Sequence, residues 1–453
     1  MITRKTELQE LETFYSESDN RLVILHGRLG SDKEEFLKAF AKGKPLFYYR
    51  CANASEKQQK ELFGRTVESF YDVKLNAYEY EDFFNRIRSG SAEKLVLVID
   101  EFQYLVKKDE EFLNALVKLK KKQYYPGPVL IILATSSLVW MNKDVPELAS
   151  SFQSQIDKRI FLPNLTFLDV VRQFENYSTS DAVRSYGIIG GVPEFVRLWD
   201  AKKSVKENVC DLILSEDGFL FRQAEDYIAS ELRELAVYNT ILCSLAAGNN
   251  KLNDLFLDTG FSRAKISVYM KNLMEFDVVE KVVSFETGGW ENTKKGVYRI
   301  SDTYINFWFH FIYPHLSDLY LLDGPAFYDK YIQPELETYL NRYFIAVCNE
   351  YLDLLNQVNK LPIEVTKMGT WIGKKGNIDI IAQNPARNSI VSLCQWSGSE
   401  ITVKMCDELK ERMKLAHVTA DYLYLFSARG FDRTLTERAK TDNTLVLIDM
   451  NEL

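Results

Sequence analysis

The sequence predicts an α/β chain whose first third is a parallel sheet with crossover helices. Apolar runs at Leu22–Leu25, Leu46–Tyr49, Leu95–Ile99, Val129–Ala134 and Arg159–Leu162 read as buried strands. Polar stretches of helical pattern separate them, which is the rhythm of βα units. Lys33, Asp100 and Ser136 each fall just past the C-terminal end of a run. That is the edge where open parallel sheets hold ligands.

The first run and its sequel read LVILHGRLGSDKE, Leu22 to Glu34. A phosphate-binding loop has the form G-x-x-x-x-G-K-[ST] between a strand and a helix. Its glycines let backbone N–H groups surround phosphate oxygens, and the helix N-terminus adds partial positive charge. The frame sets Gly27 at the first glycine and Lys33 at the lysine. Asp32 stands at the second glycine and Glu34 at the Mg²⁺-holding hydroxyl. Both replacements bring a carboxylate to a site meant for polyphosphate, where poorly solvated like charges repel by several kcal/mol. The expected nucleotide contacts are Gly27, Arg28, Gly30, Ser31, Lys33 and Glu34. In a shifted register Gly30 and Ser31 supply the cradle and the hydroxyl.

The partner stretch reads LVLVIDEFQYL, Leu95 to Leu105. An acid at a strand end can hold Mg²⁺, and a following Glu can orient or deprotonate water. Asp100 is therefore the expected metal ligand and Glu101 the expected catalytic acid–base. ATP and Mg²⁺ are the expected cofactors.

On these residues the chain resembles the prokaryotic AAA-type ATPases of the archaeal-ATPase group, relatives of the STAND signalling ATPases. TRKTELQELETFY is similar to that family's leading helix, and FYYRCANASEKQQKELF to its second strand and the polar stretch behind it. ILATSSLVWM resembles the sensor strand, with Ser136 or Ser137 toward the γ-phosphate. YGIIGGVPEF, Tyr186 to Phe195, resembles the Gly-Gly-x-Pro turn of the helical lid. The resemblance puts the family's Gly-Arg pair at Ser154-Gln155. It sets Arg159 beside that pair, at the strand-leading arginine, and gives catalytic places to Glu101, Ser136 and Arg159.

The rest of the chain divides by pattern. Residues 1–165 form the ATPase domain and 166–228 a helical lid. Residues 229–300 read as a winged helix, with helices Tyr238–Ala247, Lys251–Thr259 and Ser262–Glu275 and strands Val278–Phe285 and Gly296–Ile300 around GGWENTKK. Ser262 is a suitable N-cap, and Arg263, Lys265 and Lys271 are the expected DNA contacts. Residues 301–330 contain the aromatic band SDTYINFWFHFIYP, read as a packing joint.

Residues 331–453 show a long helix, Glu335–Leu355, then strands at Pro362–Val365, Gly376–Ala382, Ile390–Gln395, Asp421–Phe426 and Thr444–Ile448, with a helix Ile401–Lys414. This order resembles the PD-(D/E)xK nuclease core, whose two carboxylates hold Mg²⁺ while a lysine activates water. Asp379 matches the first acid, but Leu393 stands for the second and Gln395 for the lysine. Asp379 and Gln395 read as relics of an inactive site, and Trp371 and Trp396 as core.

With 453 residues, 46% hydrophobic and 13% aromatic, the chain has material for sizeable cores and is not disordered. A net charge of −8 rules out a uniformly basic surface, so DNA contact has to come from a local patch. Six cysteines without C-x-x-C and four scattered histidines argue against zinc and disulfide frameworks. The lack of a signal peptide or spanning segment points to the cytoplasm, with no membrane association. The expected function is an ATP-binding, ATPase-like regulator with a degenerate loop, switch or scaffold to an unknown protein partner. The alternative is a pseudo-ATPase and pseudo-nuclease serving only as an interaction module.

Overall fold

Leucine, isoleucine and valine runs bounded by polar loops become the strands of the first unit. The computed structural model describes residues 4–87, 93–106, 110–121, 128–285 and 296–452. The chain divides into two units, Met1–Asn164 and Leu165–Leu453. In the first, β1 (Arg21–His26), β2 (Leu46–Arg50), β3 (Leu95–Asp100), β4 (Val129–Thr135) and β5 (Lys158–Phe161) form a sheet of order β2-β3-β4-β1-β5. Every neighbouring pair is parallel. β3 and β4 are buried at every position, as expected when helices cover both faces.

The two faces separate cleanly by alternation. Val23, Leu25, Val96, Val98, Leu130 and Ile132 pack with Leu11, Phe36, Leu37 and Phe40. Leu22, Ile24, Leu97, Ile99, Ile131 and Leu133 pack with Phe63, Phe83 and Phe112 on the other side. The register sets His26 beside Thr135 and Asp100 beside Ala134. The ends of β1, β3 and β4 therefore meet, and the residues that follow them share one edge.

In the second unit a helical segment runs to Glu231. Within it, Leu165 N donates to Gly191 O at 2.7 Å. Pro193 opens the Pro193–Leu198 helix, where its missing N–H costs nothing. Helices Leu235–Ala246, Leu252–Thr259 and Arg263–Glu275 follow, then β6 (Val279–Val283) pairs antiparallel with β7 (Gly296–Ile300). Ser262 caps the third helix by accepting from Lys265 N. The GGWENTKK stretch lies outside the described residues. In the aromatic band, Tyr304, Phe307, Trp308, Phe309 and Phe311 are all buried. Asn306 Nδ2 donates to Tyr343 at 2.9 Å and Tyr339 at 3.1 Å, tying the band to the Leu336–Gln357 helix.

That helix leads to a second sheet, built of β8 (Lys367–Trp371), β9 (Ile378–Gln383), β10 (Ser389–Gln395), β11 (Tyr422–Ser427) and β12 (Leu445–Asp449) in order β12-β11-β10-β9-β8. β10, β11 and β12 are parallel, and β8 and β9 are antiparallel to their neighbours. The expected strand Pro362–Val365 does not form, and the strand starts at Lys367. The Asn356 side chain takes both Val365 backbone groups, at 2.9 Å each, and Pro362 has no N–H to offer. Trp396 is buried against Phe344. Among the described residues no helix is long and apolar enough to cross a membrane.

Candidate functional site

The site begins where β1 runs out. A Cβ on Gly27 would lie 2.7 Å from Ser31 Oγ and 3.0 Å from Leu162 O, so the loop closes only over glycine. Gly30 has φ 81° and Asp32 has φ 60°. Both are left-handed conformations, free for glycine and tolerated by aspartate. Asp32 thus takes the backbone that the phosphate-loop glycine would supply. The Arg4 guanidinium, itself buried, donates to Ser31 O at 3.1 Å and Pro163 O at 2.8 Å. Arg28 and Ser31 are buried in the same loop.

Lys33 is the first residue of the Lys33–Ala41 helix and is 7% exposed. Its Nζ lies 2.6 Å from Asp100 Oδ1 and 2.6 Å from Glu101 Oε1. Both acids are otherwise engaged. Asp100 accepts from Tyr48 OH at 2.8 Å and from Glu101 N at 3.0 Å. Glu101 accepts from Gln103 Nε2 at 2.8 Å and from Ser136 Oγ at 2.8 and 2.9 Å. Thr135 Oγ1 donates to Gln103 Oε1 at 2.7 Å. Glu101 itself sits at φ 54°, a strained backbone of the kind that gathers at functional sites. The next residue, Phe102, packs edge-on against Trp140 at 4.8 Å.

Burial raises the Glu101 carboxyl, but the Lys33 ammonium and the donors around it outweigh that and hold its pKa below the usual value. Burial and Asp100 push the Tyr48 phenol up, so it stays a donor. Burial, with the Arg159 charge, lowers His26 to about 4, and the neutral ring lies 5.0 Å from Phe161.

Several expected residues take other partners. Glu34 is exposed and pairs with Arg50 at the end of β2, whose register partner is Asp100. Arg159 donates to Gln153 Oε1 at 2.8 Å on the surface of β5. Ser136 is spent on Glu101 rather than facing an open site. Tyr48, Gln103, Arg4 and Arg50 were missed by the sequence reading. The Y-x-R spacing at the end of β2 was the only signal for two of them.

The donor set does not fit the Mg²⁺ that the sequence resemblance implies. Asp100 already accepts from Lys33, Tyr48 and a backbone N–H, and the hydroxyl position carries a glutamate paired elsewhere. Among the described residues no three His, Cys, Asp or Glu side chains converge to hold a metal. The glycine loop and helix N-terminus do fit a phosphate group.

In the second unit Asp379 stands alone. Its Oδ2 accepts from Cys394 N at 2.9 Å, Leu393 is in the core, and Gln395 Nε2 reaches Ser397 O at 2.6 Å. Burial pushes the Asp379 carboxyl up to about 6, against the pull of Cys394 N and Arg412. A raised acid pKa means the folded chain holds a proton that the unfolded chain releases between the ordinary value of 3.8 and about 6. Stability is lost as pH rises through that window. Asp379→Asn should therefore be nearly neutral near pH 4 and stabilising by about 3 kcal/mol at pH 8, read by urea denaturation at both values. Equal effects at the two values would contradict this. On the Arg263–Glu275 helix, Arg263 stacks on Phe256 at 4.0 Å, Lys265 lies 4.5 Å over Phe261, and Lys271 pairs with Glu275 at 3.6 Å.

Residues 308–407 match the family DUF234, described as archaea bacterial proteins of unknown function. An uncharacterized protein of Methanocaldococcus jannaschii is 24% identical over 389 residues, 84% of each chain. A Walker-type ATPase of Pyrococcus abyssi aligns at 15% identity over 68% of this chain and 96% of its own, with a TM-score of 0.46. The ORC2 protein of Aeropyrum pernix aligns at 14% identity over 70% and 94%, also with a TM-score of 0.46. A STAND protein with a tetratricopeptide repeat sensor from Pyrococcus horikoshii aligns at 15% identity over 79% and 50%, with a TM-score of 0.31.

Proposed function

We propose that the chain is a nucleotide-responsive regulator on a P-loop ATPase fold, with slow or absent hydrolysis, acting in the cytoplasm on a protein partner. The carrying observation is the latch: Lys33 is held at 2.6 Å by both Asp100 and Glu101. A phosphate entering the Gly27–Asp32 loop competes with these carboxylates for the same ammonium. Lys33 is the cation that Asp100 and Glu101 already hold, and Asp32 adds a carboxylate in the loop itself. Binding is therefore weak, and the nucleotide-held and latched states differ in where the lysine charge rests. That difference is what lets a ligand shift a population. Bound ATP would supply the phosphate anion that draws Lys33 away. In the latched state Glu101, held ionised by Lys33, Gln103 and Ser136, is a poor proton acceptor.

In this reading residues 166–228 are the lid and 229–300 a winged helix that meets DNA through Arg263, Lys265 and Lys271. Residues 301–330 are the joint and 331–453 an inactive nuclease-like domain. Calorimetry with ATP and ADP tests it, with and without Mg²⁺. Wild type should bind weakly, Lys33→Ala not at all, and Asp32→Gly with Glu34→Thr about tenfold more tightly, the removal of roughly 1.4 kcal/mol of repulsion. Absence of binding in both wild type and the double variant would overturn the switch. It would favour the second reading, an interaction module with two decayed sites, which the isolated Asp379 supports.

A further inference from the structure

A cavity of about 440 Å³ in the second unit lies between the Phe167–Gln173 helix and the Leu336–Gln357 helix. Its walls are apolar: Phe167, Leu168 and Val171 from one helix, Val347, Tyr351 and Leu354 from the other. Its charged lining is all of one sign, Glu350 inside and Asp353 and Glu452 at the rim, with no Lys, Arg or His among the lining residues. Glu350 is fixed in place. Phe167 N donates to its Oε2 at 2.6 Å and Tyr186 OH to its Oε1 at 2.8 Å. Burial raises its carboxyl, the neighbouring Asp169 and Asp353 charges add to this, and the Tyr186 and Phe167 donors pull the other way.

The volume is that of a small-molecule site, and the pattern of apolar walls with one convergent polar group is what such sites show. Two aromatic side chains, Phe167 and Tyr351, line the cavity, and aromatic rings attract cations. An anion would meet three carboxylates, and a neutral apolar body would leave Glu350 uncompensated.

We propose that this cavity binds a small organic cation, an aromatic or alkyl body carrying a primary ammonium. The ammonium sits on Glu350 and the body lies against Phe167, Val171, Val347 and Leu354. The site is independent of the nucleotide loop and does not rest on the reading given above.

Titration of the full chain with phenethylammonium tests it, followed by calorimetry and by the thermal midpoint. 2-Phenylethanol and phenylacetate serve as the neutral and charge-reversed probes. Phenethylammonium should bind and raise the midpoint, with the other two at least tenfold weaker. Glu350→Gln should lower ammonium affinity at least tenfold. Because that change also alters the contacts to Phe167 and Tyr186, a second variant is used: Leu354→Trp, on the 37% exposed wall, fills the mouth and should abolish binding in a folded chain. No binding of phenethylammonium, equal binding of the three probes, or unchanged affinity in either variant would overturn the proposal.

Discussion

Lys33→Met is expected to destabilise the first unit by about 3 to 5 kcal/mol at pH 7, the usual result of removing one partner from a buried ion cluster. Asp100 is 0% exposed and Glu101 7%. Without the ammonium, two carboxylates face each other away from water. The pH dependence should reverse with the substitution. In the wild type the Glu101 pKa is depressed below its ordinary 4.5. Its contribution is complete above that value and is lost as pH falls through the folded pKa. In the variant the attraction is gone and burial raises Glu101, so stability should recover as pH falls toward the carboxylate range. Adding Glu101→Gln to Lys33→Met should restore about half the loss. Guanidinium denaturation at pH 7, pH 5 and pH 3.5 reads both effects. A loss under about 1 kcal/mol would mean that the cluster behaves as a solvated surface pair and holds no latch.

Gly191→Ala should cost the second unit about 3 kcal/mol and lower its melting temperature by several degrees. The added Cβ would lie 1.9 Å from Leu165 O, 2.8 Å from Leu165 C and 2.9 Å from Leu165 N. All three are backbone atoms, so no side chain can swing aside. The same turn carries the 2.7 Å bond from Leu165 N to Gly191 O, which any shift would stretch. Gly248→Ala is the control. It has φ 96° but nothing within 4 Å of the new Cβ, so only the backbone penalty of about 1 to 2 kcal/mol remains. Similar melting temperatures for the two variants would remove the steric argument.

The strands of the first sheet were legible because burial on both faces writes uninterrupted apolar runs. The juxtaposition of Lys33 with the acidic end of β3 was legible because the spacing of both stretches carries chemistry. What the sequence hid was side-chain pairing across the fold. Glu34 reads as an obstruction in isolation, yet it forms an ion pair with Arg50, sixteen positions on. Tyr48 meets Asp100 only because β2 pairs in register with β3, which no local pattern encodes. Arg4 lies far in sequence from both carbonyls it joins. At Pro362–Val365 the apolar signal was overridden by a single asparagine that imitates a neighbouring strand.

The edge-on contact of Phe102 with Trp140 has an optical consequence. Trp140 is the only tryptophan in residues 1–164, and Phe102 is one peptide bond from Glu101. Release of Glu101 by Lys33 is expected to alter the contact between that ring and the indole. The protein thus carries its own fluorophore for the state of the latch. With the other tryptophans replaced by phenylalanine, its emission would report opening in real time, with no label attached.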